Sequence, residues 1–278
     1  MQREYKVTIS ISICYRRYAM RYILLLLAGI VCLAANADAA VKTRLVEYRQ
    51  GDAVLEGYLA WDDAQTSKRP GVLVVHEWTG INQHMKMRAE MLAKLGYVAF
   101  AADIYGKGIR PATPPEAAKT AGIYKDNRPL MRARVQAGLN ELKKQPYVDP
   151  GRIAAIGYCF GGTTVLELAR DGADVKGIVS FHGGLSTPTP QDAKNIKPRI
   201  LALHGADDPF VKPDEVAAFQ EEMRKGGVDW QFVAYGNAVH SFTNREAGND
   251  NSKGAAYNEK ADRRSWEAMR EFFTEIFK

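Results

Sequence analysis

The run Ile153-Ala-Ala-Ile-Gly157-Tyr-Cys159-Phe-Gly161-Gly-Thr-Thr164 constrains this 278-residue chain more than any other stretch. A short apolar segment runs into Gly-x-Cys-x-Gly, and small residues follow, so the run reads as a buried strand, a sharp turn and a helix start. The two glycines lack a Cβ, which lets strand and helix approach more closely than other residues would allow. A turn of this kind lifts its central side chain above the sheet. The next backbone N–H, at the positive end of the new helix, then faces any negative charge that develops there. Cys159 is the candidate nucleophile and Phe160 the candidate N–H donor. The competing reading is an ordinary buried cysteine, since free cysteine is among the most buried residue types.

The flanking pattern alternates strand and helix signals. Leu45–Arg49 and Val54–Trp61 read as two strands around the turn Gln50-Gly51-Asp52. Val72–Val75 is wholly apolar, as a strand buried on both faces should be. A helix with Met87, Met91, Leu92 and Leu95 on one face ends at Gly96, and Tyr97–Ala101 is the next strand. After a Gly- and Pro-rich loop from Asp103 to Pro115, helical pattern runs to Lys144, with Met131, Val135, Leu139 and Leu142 on one face. Tyr147–Gly151 reads as a turn into the cysteine strand. A helix from Gly161 to Arg170, strands at Val175–Phe181 and Ile200–His204, and a helix from Pro213 to about Lys225 follow. Strand Trp230–Tyr235 precedes a last helix with Trp266, Met269, Phe273 and Ile276 in one stripe. Alternation at this spacing demands an α/β fold: a mostly parallel central sheet covered by helices on both faces, in one three-layer domain.

The N-terminus differs from the rest. Arg16, Arg17 and Arg21 precede a short apolar run, Tyr22 to Ala35, and Ala37-Asp-Ala39 supplies a small-residue cleavage site. Residues 1–39 therefore read as a secretory signal, with residues 40–278 as the exported domain in the periplasm or outside the cell. Met20 begins a conventional signal by itself, which leaves two starts open. The apolar run is short for a membrane span, so no membrane association is expected once the signal is removed. The segment carries five basic and two acidic residues, and without it the net charge falls from +6 to +3. The remaining charges are interspersed, which argues against a nucleic-acid partner. Cys14 and Cys32 leave with the signal, so Cys159 becomes the single cysteine, a flag for a reactive thiol in an exported protein.

In such a sheet the loops after the strands line the active crevice. Glu77, Cys159, Asp208 and His240 each follow a strand. Taken singly, Asp208 could be a turn residue, His240 a surface histidine and Glu77 a solvated acid. Together they give the order nucleophile, acid, histidine that an α/β-hydrolase carries. His76, His182 and His204 also lie near strand ends, but no His-x-x-x-His or Glu-x-x-His spacing joins them, so no metal is expected.

The segments His76-Glu-Trp-Thr-Gly80, Asp103-Ile-Tyr105, Gly157-Tyr-Cys-Phe-Gly-Gly162, Gly205-Ala-Asp-Asp-Pro-Phe-Val211 and His240-Ser-Phe242 resemble the dienelactone hydrolase family of the α/β-hydrolase fold, from about residue 45 to the C-terminus. The resemblance implies a cofactor-free hydrolase of a small ester or lactone with Cys159, His240 and Asp208 as its triad. It makes the N–H groups of Phe160 and Trp78 the oxyanion donors and brings Glu77 into contact with the thiol, where it takes part in activation on substrate binding. The family holds the carboxylate of dienelactone with two arginines. Here the first region reads Gly106-Lys107-Gly108 and the second Thr243-Asn244-Arg245, with the arginine displaced by one, so Lys107 and Arg245 are the substrate-binding candidates. The rival reading is a non-catalytic, stress-related binding protein on the same fold. Oligomeric state is not legible.

Overall fold

The structure, a computed structural model, describes residues 41–278, and the expected signal segment lies outside them. The strands are β1 (Val41–Gln50), β2 (Ala53–Asp62), β3 (Arg69–Val75), β4 (Val98–Ala102), β5 (Val148–Tyr158), β6 (Gly177–Phe181), β7 (Arg199–Gly205) and β8 (Trp230–Tyr235). They form one eight-stranded sheet in the order β1-β2-β4-β3-β5-β6-β7-β8. β1 pairs antiparallel with β2, and β2 antiparallel with β4; every later pairing is parallel. The sheet is therefore an antiparallel hairpin entering a parallel core, and β3, β5 and β6, the middle of that core, present their C-terminal ends side by side.

Among the described residues six α-helices cover the sheet: α1 (Gln83–Lys94), α2 (Pro114–Lys125), α3 (Arg128–Lys143), α4 (Phe160–Arg170), α5 (Pro213–Gly226) and α6 (Glu259–Ile276). Successive strand residues point to opposite faces. Leu73, Val75, Ala155 and Ile178 pack with α2 to α5 residues such as Met131, Leu139, Val165 and Phe219. Val72, Val74, Ala154, Ile156 and Val179 pack with α1 and α6 through Met85, Leu92, Met269 and Phe273. Each fully buried Val, Leu, Ile, Met or Phe among them contributes ~1.5–3 kcal/mol.

The sequence reading needs three corrections. The helical stretch ending near Lys144 is two helices, because Asn127 accepts the N–H of Leu130 as an N-cap and Pro129 sits in the first turn of α3. Residues 148–151 belong to β5, where a register shift opposite Pro70 and Gly71 absorbs the predicted turn. On α1, Met87 and Leu95 are exposed, and the buried face carries His84 and Arg88 beside Met85, Ala89 and Leu92. Apolar periodicity could not show this, because those two polar residues are buried through pairing.

The helix after Cys159 is fixed by charge as well as packing. Arg170, fully buried at the end of α4, bonds Glu222 of α5 through two 2.8 Å contacts and Glu167 at 3.0 Å. Buried arginine must be paired in this way, since removing one partner typically costs about 3–5 kcal/mol.

Candidate active site

Cys159 occupies the corner between β5 and α4 with φ 53° and ψ −114°, a left-handed conformation that non-glycine residues seldom adopt. The corner closes because its neighbours are glycines. A Cβ on Gly157 would lie 2.0 Å from the carbonyl oxygen of Gly161, and one on Gly161 would lie 2.2 Å from that of Val75. Its backbone carbonyl accepts the N–H of Gly162 at 3.0 Å, which starts α4. The thiol makes no capping bond and is left for other chemistry.

Two loops bring the partners to it. The turn after β7 carries Asp208, whose Oδ1 accepts the N–H of Phe210 at 2.8 Å. The loop after β8 carries His240, which donates its N–H to the Gly254 carbonyl and accepts that of Ala256. His240 Nδ1 meets Asp208 Oδ2 at 2.8 Å and His240 Nε2 meets Cys159 Sγ at 3.0 Å. Burial alone would disfavour an imidazolium here. The opposing charges of Cys159 and Asp208 outweigh it and push the His240 pKa up to about 10. The Phe210 ring stands edge-on to His240 with centroids 5.4 Å apart and is itself exposed, forming one rim of the crevice.

Trp78 follows β3 on the opposite side, with its indole partly exposed. The Tyr105 hydroxyl donates to its carbonyl at 2.9 Å, which holds the loop against the end of β4. Among the described residues, neither the Trp78 nor the Phe160 N–H has a protein acceptor, so both remain open to a ligand oxygen. Beneath them His76 is fully buried. Its Nδ1 donates to the Glu77 carbonyl at 2.6 Å and its Nε2 accepts the Ile104 N–H at 3.2 Å. That is the neutral tautomer, and burial holds its pKa down to about 4.

Glu77 departs from the expectation. Its buried carboxylate accepts the Asn244 side-chain N–H at 2.9 Å and lies 3.3 Å from His84 Nδ1, and among the described residues no hydrogen bond joins it to Cys159. A buried anion needs donors, and here Asn244 and His84 supply them in place of the thiol. Arg88 donates to His84 Nε2 at 3.1 Å, so the proton facing Glu77 belongs to His84 Nδ1. Arg88 is in turn held by Asp262 and by the Thr243 carbonyl.

The two substrate-binding candidates are engaged elsewhere. Lys107 Nζ lies 2.9 Å from Glu47 and 3.9 Å from Glu56, on the β1–β2 hairpin. The Arg245 guanidinium lies 5.6 Å from the centre of the Tyr257 ring. Sequence reasoning missed the parts that Asn244, His84 and Arg88 play, because their contacts span α1, the His240 loop and α6. It weighed His182 only as a metal ligand, although that residue follows β6 just as the other site residues follow their strands. Among the described residues no three His, Cys, Asp or Glu side chains converge as a metal ion would require.

A strained cysteine corner at the end of β5, with an acid on the loop after β7 and a histidine on the loop after β8, is the arrangement found in hydrolases of the α/β class. The dienelactone hydrolase family profile matches residues 55–277, and the chain belongs to that family. A protein of Aquifex aeolicus that carries the name carboxymethylenebutenolidase is 31% identical over 242 residues, 84% of this chain and 99% of its own. The usf protein of Aquifex pyrophilus is 31% identical over 211 residues, 73% of this chain and 88% of its own. A crystal structure described as a dienelactone hydrolase-like promiscuous phosphotriesterase from metagenomic libraries is 43% identical, with a TM-score of 0.82, covering 86% of this chain and all of that one.

Proposed function

We propose that the chain hydrolyses a small, uncharged ester or lactone through a thioacyl-enzyme, with Cys159 as nucleophile, His240 as base and acid, and Asp208 as the group that orients His240. The observation that carries this reading is the unbroken line Asp208–His240–Cys159, with contacts of 2.8 and 3.0 Å. His240 holds the thiol proton while the thiolate attacks the carbonyl carbon. The oxyanion forms between the N–H groups of Phe160 and Trp78, where one such donor typically contributes about 2.7–4 kcal/mol. His240 then protonates the departing alkoxide, and a water activated by His240 releases the acid product. Asp208 fixes the imidazole tautomer throughout. The mechanism uses no cofactor. A non-catalytic binding role would leave this alignment without a purpose.

An uncharged substrate fits because Lys107 and Arg245 are occupied by Glu47 and Tyr257, while Trp78 and Phe210 expose aromatic rings. The test is ultraviolet-monitored hydrolysis of dienelactone, a short-chain aryl ester and, given the metagenomic relative, a neutral phosphotriester, beside a Cys159→Ala control. Aryl ester turnover that vanishes in the control supports the reading. No turnover of any of the three, with a thiol inert to alkylation, overturns it. We also propose export through residues 1–39; N-terminal sequencing of the mature protein from a periplasmic extract would locate the cleavage, and an intact Met1 there would refute it.

A further inference from the structure

His182 follows β6 and has no part in the mechanism above, yet it touches both halves of it. It is fully buried and adopts φ 41°. Its backbone N–H donates to the Leu203 carbonyl at 2.8 Å, which ties its position to β7. Its ring Nδ1 accepts the backbone N–H of Cys159 at 3.2 Å, a proton shared with the Phe181 carbonyl at 3.0 Å. Because Nδ1 must offer a lone pair to that N–H, the ring proton resides on Nε2, which donates to Thr243 Oγ1 at 2.8 Å. Thr243 lies on the same loop as His240, three residues on. The His182 ring also packs edge-on against His240 and Phe242, at centroid separations of 5.3 and 5.0 Å.

We propose that His182 is a positioning residue for the reaction: its neutral imidazole bridges the nucleophile corner to the histidine loop and sets the Cys159 Sγ to His240 Nε2 distance. The inference rests on the hydrolase reading given above. Both ring nitrogens bind backbone or side-chain groups that flank the reacting pair, and no other described side chain hydrogen-bonds to both segments. A purely apolar residue of similar size would fill the space and leave the Cys159 N–H with one acceptor. A cationic ring would lose its Nδ1 lone pair and face the His240 imidazolium. Burial first, then the nearby His240, His84 and Arg88, keep the His182 pKa well below that of a free histidine, in agreement with this geometry.

The test uses three variants of the full-length protein. His182→Leu removes both bonds. His182→Asn returns an amide oxygen to the place of Nδ1, and asparagine tolerates positive φ. Thr243→Val removes only the Nε2 partner. Each is assayed for kcat and KM on a neutral aryl ester, for melting temperature, and for the pH profile of iodoacetamide alkylation of Cys159, which reports thiolate without any substrate. His182→Leu should lower kcat about tenfold or more with KM within about twofold, since only the reacting geometry changes. Its alkylation profile should differ from that of the wild type, and His182→Asn, which returns only the bond to the Cys159 N–H, should recover part of both.

A His182→Leu enzyme with wild-type kcat and alkylation profile overturns the proposal, as does a folded Thr243→Val enzyme unchanged in both. If His182→Leu fails to fold, the decision passes to Thr243→Val, where a folded protein with unchanged kcat and profile overturns it. A wild-type thiol that alkylates like free cysteine and turns over no ester instead marks the failure of the hydrolase reading, and this inference falls with it.

Discussion

Asp208 commits both carboxylate oxygens to separate tasks: Oδ2 meets His240 Nδ1 at 2.8 Å, and Oδ1 accepts the Phe210 N–H at the same distance. In the proposed mechanism one oxygen orients the base, while the other ties Asp208 to its own turn and, through it, to the aromatic rim of the crevice. Asp208→Asn keeps the shape but can present an amide hydrogen to Nδ1, which favours the wrong tautomer. It should lower kcat by about 10⁴, as replacing the orienting carboxylate does in such triads. Steady-state kinetics beside an unchanged circular dichroism spectrum would check it, and a loss of tenfold or less would contradict the assigned role.

The pH dependence follows from His240. Its imidazolium is held to about pH 10 by Cys159 and Asp208, against the effect of burial. Below that value the ring carries the proton that the leaving alkoxide needs; above it the proton is lost. The kcat/KM profile for an aryl ester should therefore fall as pH rises through about 10. In Asp208→Asn the falling limb should move to lower pH, because one of the two stabilising charges is gone.

His76 works in the opposite direction and on stability. Its pKa is lowered to about 4 by burial, whereas in the unfolded chain it is ordinary. Above pH ~6.5 both states are neutral and its contribution is fully present. As pH falls from there towards 4, the unfolded state takes up a proton that the folded state refuses, and up to ~3 kcal/mol is lost. Urea unfolding at pH 7.5, 5.5 and 4.5 should show this slope, and His76→Asn should flatten it by close to one proton. An unchanged slope in the variant would show that the ring titrates normally.

Gly157→Ala tests how tightly the corner is closed. The added methyl would meet the Gly161 carbonyl at 2.0 Å, and both partners are backbone, so neither can swing aside. The destabilisation should exceed about 4 kcal/mol, well beyond an ordinary core overpacking. A soluble variant with a melting temperature near wild type would mean that β5 and α4 can separate.

Lys107→Met and Arg245→Gln should each leave kcat/KM on a neutral ester within about twofold. Exposed ion pairs of the Lys107–Glu47 kind contribute little to anything but their own neighbourhood. A tenfold loss in either variant would return these cations to the substrate site.

What the sequence made legible were the elements whose chemistry is local. Val72–Val75 is apolar on both faces because both faces are covered, and Gly157-x-Cys-x-Gly161 needs its glycines for contacts one turn away. The placement of Cys159, Asp208 and His240 after their strands was equally plain, since fold topology alone brings those loops together. The partners that Glu77 holds, His84 and Asn244, were not legible, because they are set by tertiary contacts that no spacing encodes. The buried polar residues of α1, His84 and Arg88, were hidden from apolar periodicity for the same reason. A buried arginine on a helix looks like a surface one until Asp262 arrives from the far end of the chain.

The atoms that place Cys159 belong to β3, β5, the end of β6 and the first turn of α4, while the Trp78 and Phe210 rings are exposed on the loops that border it. Within these loops the backbone N–H groups serve the proposed chemistry while the two exposed rings face outward, so side-chain identity there is free to vary. Mutational drift or laboratory selection can reshape the rim, trading one acyl or leaving group for another, while the bond-breaking apparatus stays in register underneath. A scaffold divided in this way is suited to acquiring new substrates in small steps, each tolerable to the fold.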